Sequence, residues 1–138
     1  MAELIKLEVV TPAKYVVNED VEIVMAPGTL GEFGVLSGHT PFLTSLQAGR
    51  ILYKDANGKE KMLFVSGGFA EATPHKVTIL AESAERRRDI DINRAKAALE
   101  RAQKRLAEQK AENINFERAK SAMFRAIQRI RIAESKGL

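Results

Sequence analysis

The chain reads as an α+β protein: a small antiparallel β-sandwich or flattened barrel, followed by an antiparallel two-helix hairpin. Three observations carry that expectation. Up to Ala84, apolar and polar residues alternate in short runs separated by glycine turns. Within that part, Asn57-Gly58 stands between Arg50-Ile51-Leu52-Tyr53 and Met62-Leu63-Phe64-Val65, a strong short-range hairpin signal when both turn residues accept positive φ. Beyond Ala84, apolar residues recur every third or fourth position, the period of a helix face.

The strands come first. Ile5, Leu7 and Val9 fall on one face with Lys6 and Glu8 on the other. Val21, Ile23 and Met25 repeat this around Glu22, as do Val77, Ile79 and Ala81 around Thr78. Glycines at 28, 31, 34, 38, 49, 67 and 68 punctuate the remainder at strand-length intervals. Many short strands with no helix between them imply antiparallel pairing.

The helices follow. Ile92, Ala95, Leu99, Ala102 and Leu106 form one narrow stripe; Phe116, Ala119, Met123, Ala126, Ile130 and Ala133 form another. Asp89 or Asp91 can cap the first helix, which then runs to about Lys110. Ala111-Glu112-Asn113-Ile114-Asn115 breaks the pattern, with Asn115 as the cap of a second helix ended by Gly137. So short a connection makes the helices antiparallel neighbours. Half of each seam is alanine, which permits close approach but removes little apolar area from water. The organisation is a sandwich over residues 1–84 and a hairpin over 85–138.

The totals exclude several classes. There are 138 residues, 45% hydrophobic and 29% charged, the composition of an ordinary globular protein. Without cysteine there are no disulfides and no thiolate metal sites. No signal peptide or membrane span is visible, which points to the cytosol. Net charge is +4, unevenly divided: 7 basic against 10 acidic residues up to Ala84 give −3, and 15 against 8 afterwards give +7. The basic hairpin suggests an acidic partner.

Catalytic signals are poor. Gly28-Thr29-Leu30-Gly31-Glu32-Phe33-Gly34 fits neither dinucleotide nor phosphate-loop spacing. Ser37 and His39 are neighbours without a nucleophile elbow, and His39 and His75 show no metal-ligand spacing. Arg94, Arg101 and Arg105 recur at i, i+7, i+11, as do Arg118, Arg125 and Arg129. Either these are solvated faces offset by Glu100, Glu108, Glu117 and Glu134, or they converge on a polyanion that the planar guanidinium suits. Acidic interruptions and the lack of a stacking platform argue against nucleic acid. An alanine stripe argues against direct membrane insertion.

Gly31-Glu32-Phe33-Gly34-Val35-Leu36-Ser37-Gly38-His39-Thr40-Pro41, Phe64-Val65-Ser66-Gly67-Gly68-Phe69-Ala70-Glu71 and Val77-Thr78-Ile79-Leu80-Ala81-Glu82 closely resemble the epsilon-subunit family of bacterial F-type ATP synthases, the counterpart of the chloroplast epsilon. The order and spacing match along the whole chain, with Ser37 where the family often has proline. The resemblance implies a ten-stranded sandwich and two helices at the foot of a rotating central stalk. It implies a non-catalytic subunit, peripheral on the cytoplasmic face of the cell membrane, that touches lipid only through its complex. Its implied partners are the gamma subunit and the c-ring, with Glu32 and His39 on the c-ring side.

The same resemblance implies a regulatory hairpin. Docked on the sandwich it permits ATP hydrolysis; extended along gamma it blocks hydrolysis, with Arg118, Lys120, Arg125 and Arg129 approaching an acidic loop of the beta subunit. Some members bind ATP on the compact hairpin through Ile/Leu-Asp-x-x-Arg-Ala, matched by Ile90-Asp91-Ile92-Asn93-Arg94-Ala95. Glu85, Arg101, Arg125 and Arg129 correspond to the other site positions. No cofactor is required, and ATP would be a regulatory ligand. Two alternatives from other classes are a stand-alone nucleotide-sensing module and a basic nucleic-acid-binding hairpin.

Overall fold

The structure, a computed structural model, describes residues 3–108 and 113–135. Nine strands precede two helices: β1 Ile5–Val10, β2 Tyr15–Gly28, β3 Gly31–Val35, β4 Phe42–Leu46, β5 Gly49–Asp55, β6 Glu60–Val65, β7 Gly68–Thr73, β8 Lys76–Leu80 and β9 Ala84–Arg86. A 3-10 turn over Arg87–Asp89 leads into α1, Ile92–Glu108, and then α2, Asn113–Glu134. The α+β architecture stands, with nine strands among the described residues rather than the ten implied by the family resemblance. The 14-residue β2 serves two parts of the sheet: β1 and β3 pair with its two ends, while β5 and β4 also pair along it.

Pairing is not antiparallel throughout, as expected from the sequence, because β1 and β8 run parallel. The reason is topological. Strands β1, β8, β7, β4 and β2 close into a ring through the β1–β2 pairing. An odd ring cannot alternate direction at every step, so one neighbour pair must be parallel. The chain ends of β1 and β8 meet this need, since no tight turn links them.

The inner faces pack into one apolar core. Ile5, Leu7 and Val9 are buried as their alternation predicts, and so are Val77, Ile79 and Ala81. In β2 the pattern changes partway. Val17 and Val21 point inward, but beyond a register shift between Val21 and Ile23 the buried residues are Val24 and Ala26. Ile23 and Met25 are only half-buried. The shift reverses which parity faces the core, so the expected inward set of Val21, Ile23 and Met25 holds only at Val21.

The β5–β6 hairpin is present, although its turn differs from the two-residue form that Asn57-Gly58 suggests. Only Gly58 has positive φ (80°). The Asp55 amide donates to the Lys59 carbonyl at 2.8 Å, closing a longer loop. Asp55 explains the choice: its Oδ1 accepts the amides of Asn57 and Lys59, both at 2.9 Å, which fixes the loop from within. At the β6–β7 corner, Gly68 sits at φ 136°, and a Cβ there would lie 2.0 Å from the Leu80 carbonyl oxygen. No other residue permits so close an approach.

Strand pairing continues through β9 to Arg86, past residue 84. Arg86 ties this last strand down by donating to the Tyr53 hydroxyl at 3.3 Å and the Val16 carbonyl at 2.9 Å. The hairpin is antiparallel, with Lys96 early in α1 paired to Glu134 late in α2 at 3.6 Å. Its seam is alanine, as the spacing suggests: Ala95, Ala102, Ala119 and Ala126 are buried. Helix α2 begins at Asn113, so Asn115 lies inside its first turn rather than capping it. The expected end near Lys110 and the Gly137 stop lie outside the described residues.

The amides of Lys59 and Asn57, together with the Lys61 ammonium at 3.2 Å, hold the Asp55 carboxyl below the usual carboxylate range. A depressed folded-state value means this stabilisation is present above the unfolded carboxyl value, about pH 4, and is lost as pH falls through the folded one. Asp55→Ala is expected to lower the urea midpoint at pH 7. Its deficit against the parent should narrow steadily below about pH 4 in the same unfolding assay.

Candidate functional site

The site forms where the hairpin meets the sandwich, and β6 is its foundation. Met62, Leu63, Phe64 and Val65 are all buried, so this strand is covered on both faces. Leu63 and Val65 enter the sandwich core, whereas Met62 and Phe64 pack with Ile132 of α2, flanked by Ala48, Leu52 and Ile90. Burying Ile132 is worth about 1.5–3 kcal/mol, and the same docking covers Met62 and Phe64. Arg87, just after β9, donates its Nε to the Ile132 carbonyl at 3.2 Å and an Nη to the Ser135 carbonyl, satisfying the open C-terminal end of α2.

Strand β9 brings Glu85 opposite Phe64 in register. Arg129 of α2 meets both. Its Nε lies 3.3 Å from each Glu85 carboxylate oxygen, and its guanidinium carbon lies 4.2 Å from the centre of the Phe64 ring. Above this contact opens a cleft of about 320 Å³ lined by Glu85, Asp91, Arg94, Ala95, Arg101 and Arg129, with Asp89 and Ala98 completing it. The structure therefore gathers six of the eight residues expected at a nucleotide site.

The other two stand aside. Ile90 packs into the Met62–Phe64–Ile132 cluster beneath the hairpin. Arg125 lies one turn before Arg129 on α2 and does not line the cleft. Asp91 has a local duty as well: its Oδ1 accepts the Arg94 amide at 3.0 Å, capping α1 as one of the two expected candidates. Asp89 instead closes the 3-10 turn.

The electrostatics differ from a purely basic patch. Three guanidiniums, of Arg94, Arg101 and Arg129, face three carboxylates, of Glu85, Asp89 and Asp91. Such a cleft suits a ligand that carries both anionic groups and hydrogen-bond donors, because arginine forks match phosphate oxygens and carboxylates match amino groups. One arginine of the first helical set, Arg105, and two of the second, Arg118 and Arg125, lie outside the cleft along the hairpin, without ion pairs among the described residues. Arg118 and Lys120 are exposed.

The remaining expected positions are elsewhere. Glu32 sits near the start of β3, within 3.7 Å of Arg50, and His39 sits in the turn beyond the same strand. The His39 ring meets Phe42 edge-on at 5.2 Å, and its Nδ1 bonds to the Thr40 carbonyl at 2.7 Å. Ser37 donates to Glu3 at 3.2 Å. Ser37 and His39 thus have separate partners and form no nucleophile–base pair. On the outer face of the paired strands β4, β7 and β8, Leu43 (71% exposed), Phe69 (56%) and Leu80 (53%) make an apolar patch, with Phe69 and Leu80 directly opposite each other.

Phe64, Arg87 and Ile132 were not singled out by sequence reasoning. The signal was the unbroken apolar run Met62–Val65, which marks a strand covered on both faces. Ile132 falls off the main α2 stripe and gives that helix a second apolar side.

A strand-rich sandwich carrying a helical hairpin docked over one face defines a two-part class of α+β protein. Residues 4–87 match the family described as ATP synthase, Delta/Epsilon chain, beta-sandwich domain, and residues 88–134 match its long alpha-helix domain. The chain belongs to this ATP synthase delta/epsilon family, and a place in ATP synthesis follows from that membership. It is 59% identical over 136 residues to the ATP synthase epsilon chain of Desulforapulum autotrophicum, covering 99% of this chain and 100% of that one. With the epsilon chain of Desulfatibacillum aliphaticivorans it shares 60% over 136 residues, covering 99% and 96%.

Among solved structures, a chain of the Euglena gracilis mitochondrial ATP synthase (OSCP/F1/c-ring) superposes with a TM-score of 0.79 at 24% identity. That match covers 91% of this chain and 78% of the other. One from the Tetrahymena thermophila mitochondrial ATP synthase (central stalk/c-ring) gives 0.61 at 13%, covering 96% and 98%. These two similarities concern the fold.

Removing the Asp91 cap leaves a first-turn amide of α1 without its acceptor. Asp91→Ala is expected to lower the stability of the hairpin by about 1 kcal/mol while sparing the sandwich. Faster amide exchange confined to α1 and α2 is the corresponding readout.

Proposed function

We propose that this chain is the non-catalytic central-stalk subunit of an F-type ATP synthase. Its sandwich joins the rotor, and its hairpin gates ATP hydrolysis. Family membership supports the first part. The exposed Leu43–Phe69–Leu80 patch offers the gamma subunit an apolar surface on the side formed by β4, β7 and β8. Glu32, near the start of β3, and His39, in the turn beyond it, are the positions proposed to face the c-ring. Among the described residues no helix is long and apolar enough to cross a membrane. The place proposed for the chain is peripheral, on the cytoplasmic face, reached through the complex.

The observation that carries the gating reading is how lightly the hairpin is held. Its seam is alanine, and its docking on the sandwich rests on Ile132, the Arg87 cap and the Arg129 contacts. Ile132 contributes about 1.5–3 kcal/mol and a partly exposed ion pair such as Glu85–Arg129 only about 0–1 kcal/mol. Covering Met62 and Phe64 adds apolar area from the sandwich side, so docking joins one large buried hairpin side chain to a small apolar spot. An extended hairpin would carry Arg118, Lys120, Arg125 and Arg129 to an acidic surface of the beta subunit, and would block hydrolysis there.

ATP in the cleft would favour the docked form. Phosphates take Arg94, Arg101 and Arg129, while the carboxylates of Glu85 and Asp91 receive the amino group of the base or the polar rim. At a hundred times its dissociation constant a ligand adds about 2.7 kcal/mol to the form it binds. No metal is required by this reading. Co-purification with gamma separates it from a stand-alone nucleotide sensor, and strong salt-dependent retention on DNA would favour a nucleic-acid hairpin instead.

Calorimetric titration with ATP should give measurable heat and a higher Tm; neither at millimolar nucleotide would remove ATP from the account. In the assembled complex, deleting residues from Asp89 onward should raise ATPase activity. An unchanged rate would eliminate the inhibitory hairpin while leaving the rotor role intact.

A further inference from the structure

Arg129 is the arginine in the cleft that is anchored to the sandwich. Arg94 and Arg101 belong to α1 and are exposed, whereas Arg129 is mostly covered, with a quarter of its side chain exposed. Phe64 beneath it is fully buried. Glu85 and Phe64 are directly opposed across β6 and β9, so two paired strands present a carboxylate and an aromatic face together. The carboxylate takes Nε, and the ring takes the guanidinium plane at 4.2 Å. Among the described residues no hydrogen bond occupies the two Nη groups of Arg129. Arginine suits such a place because its flat, weakly hydrated guanidinium can lie on a ring and still donate from its edge.

We propose that Phe64 is a positioning residue: through its ring face it holds Arg129, and so keeps the hairpin docked. In the docked form the edge of Arg129 is left for an anion in the cleft. This second consequence rests on the nucleotide reading above; the first does not. If one side chain serves both contacts, an anion and the sandwich strengthen each other's hold on the hairpin by the same factor.

The test uses the full chain, with amide exchange of α2 measured with and without ATP. The variants are Phe64→Leu, 3,4,5-trifluorophenylalanine at position 64, Arg129→Gln and the double variant Phe64→Leu/Arg129→Gln. The fluorinated ring keeps its shape while losing the negative face that attracts a cation, so it serves even where leucine disturbs folding. Ligand-free exchange in α2 is expected to quicken about fivefold in Phe64→Leu, and ATP to bind about fivefold more weakly. The fluorinated chain should move the same way, and Phe64→Leu should add little once Arg129 is Gln.

An undiminished effect of Phe64→Leu in the Arg129→Gln background means that Phe64 only fills space, and overturns the proposal. So does a fluorinated chain that behaves as the parent. Coupling between the two residues in a chain that ignores ATP supports the clamp and overturns the nucleotide reading alone.

Discussion

From Met62 to Val65, strand β6 has no solvent side. Leu63 and Val65 close the sandwich from within, and Met62 and Phe64 would face water if α2 did not lie over them. A pair of large apolar side chains on an outer sheet face creates a standing demand for a cover. The hairpin meets that demand with Ile132, while its own interior is too lean in apolar bulk to gain much from anything else. The position of the helices, the shape of the cleft and the placement of Arg129 all follow from this one strand needing two neighbours.

The cover is economical. Alanines bring α1 and α2 close without filling a large core, so the hairpin's order depends on being docked as much as on its own seam. Directional contacts then choose the seat. Arg87 engages the last carbonyls of α2, and Glu85 with Phe64 engages Arg129 one turn before Ile132. All of these lie on or beside β9, the short strand that links the sandwich to the hairpin. Linker and lock are the same few residues. Hairpin and sandwich share a small apolar cluster of Met62, Phe64 and Ile132, separate from the main core.

Legibility in the sequence varied with the kind of evidence each element offered. The strands around Leu7 and Ile79 were readable from simple alternation. So were the helices, from their three-and-four spacing. The β2 face was misread past Val21, because a register shift leaves no mark in residue type and yet reverses every side chain after it. The parallel β1–β8 pair was also hidden, since strand direction in a closed ring is a property of the whole circuit. For the cleft, a motif resemblance named six residues that line it, while Ile90 packs beneath the hairpin and Arg125 is not among the lining residues. Of the cleft's carboxylates, the resemblance named Glu85 and Asp91 but not Asp89, which also lines it.

What the sequence determined by itself was local: the period of each segment, the presence of a turn around Asn57-Gly58, a cap at Asp89 or Asp91 and the excess of positive charge beyond Ala84. These depend on neighbours a few residues away, and residue type encodes them directly. Tertiary structure alone decided that Phe64 lies beneath Arg129 and that Glu85 stands opposite Phe64. It also decided that three arginines share a cleft with three carboxylates. Those meetings join positions tens of residues apart. They come about because buried apolar area, which has no direction of its own, brings α2 down onto β6 and leaves the charged groups at the edge to find their partners.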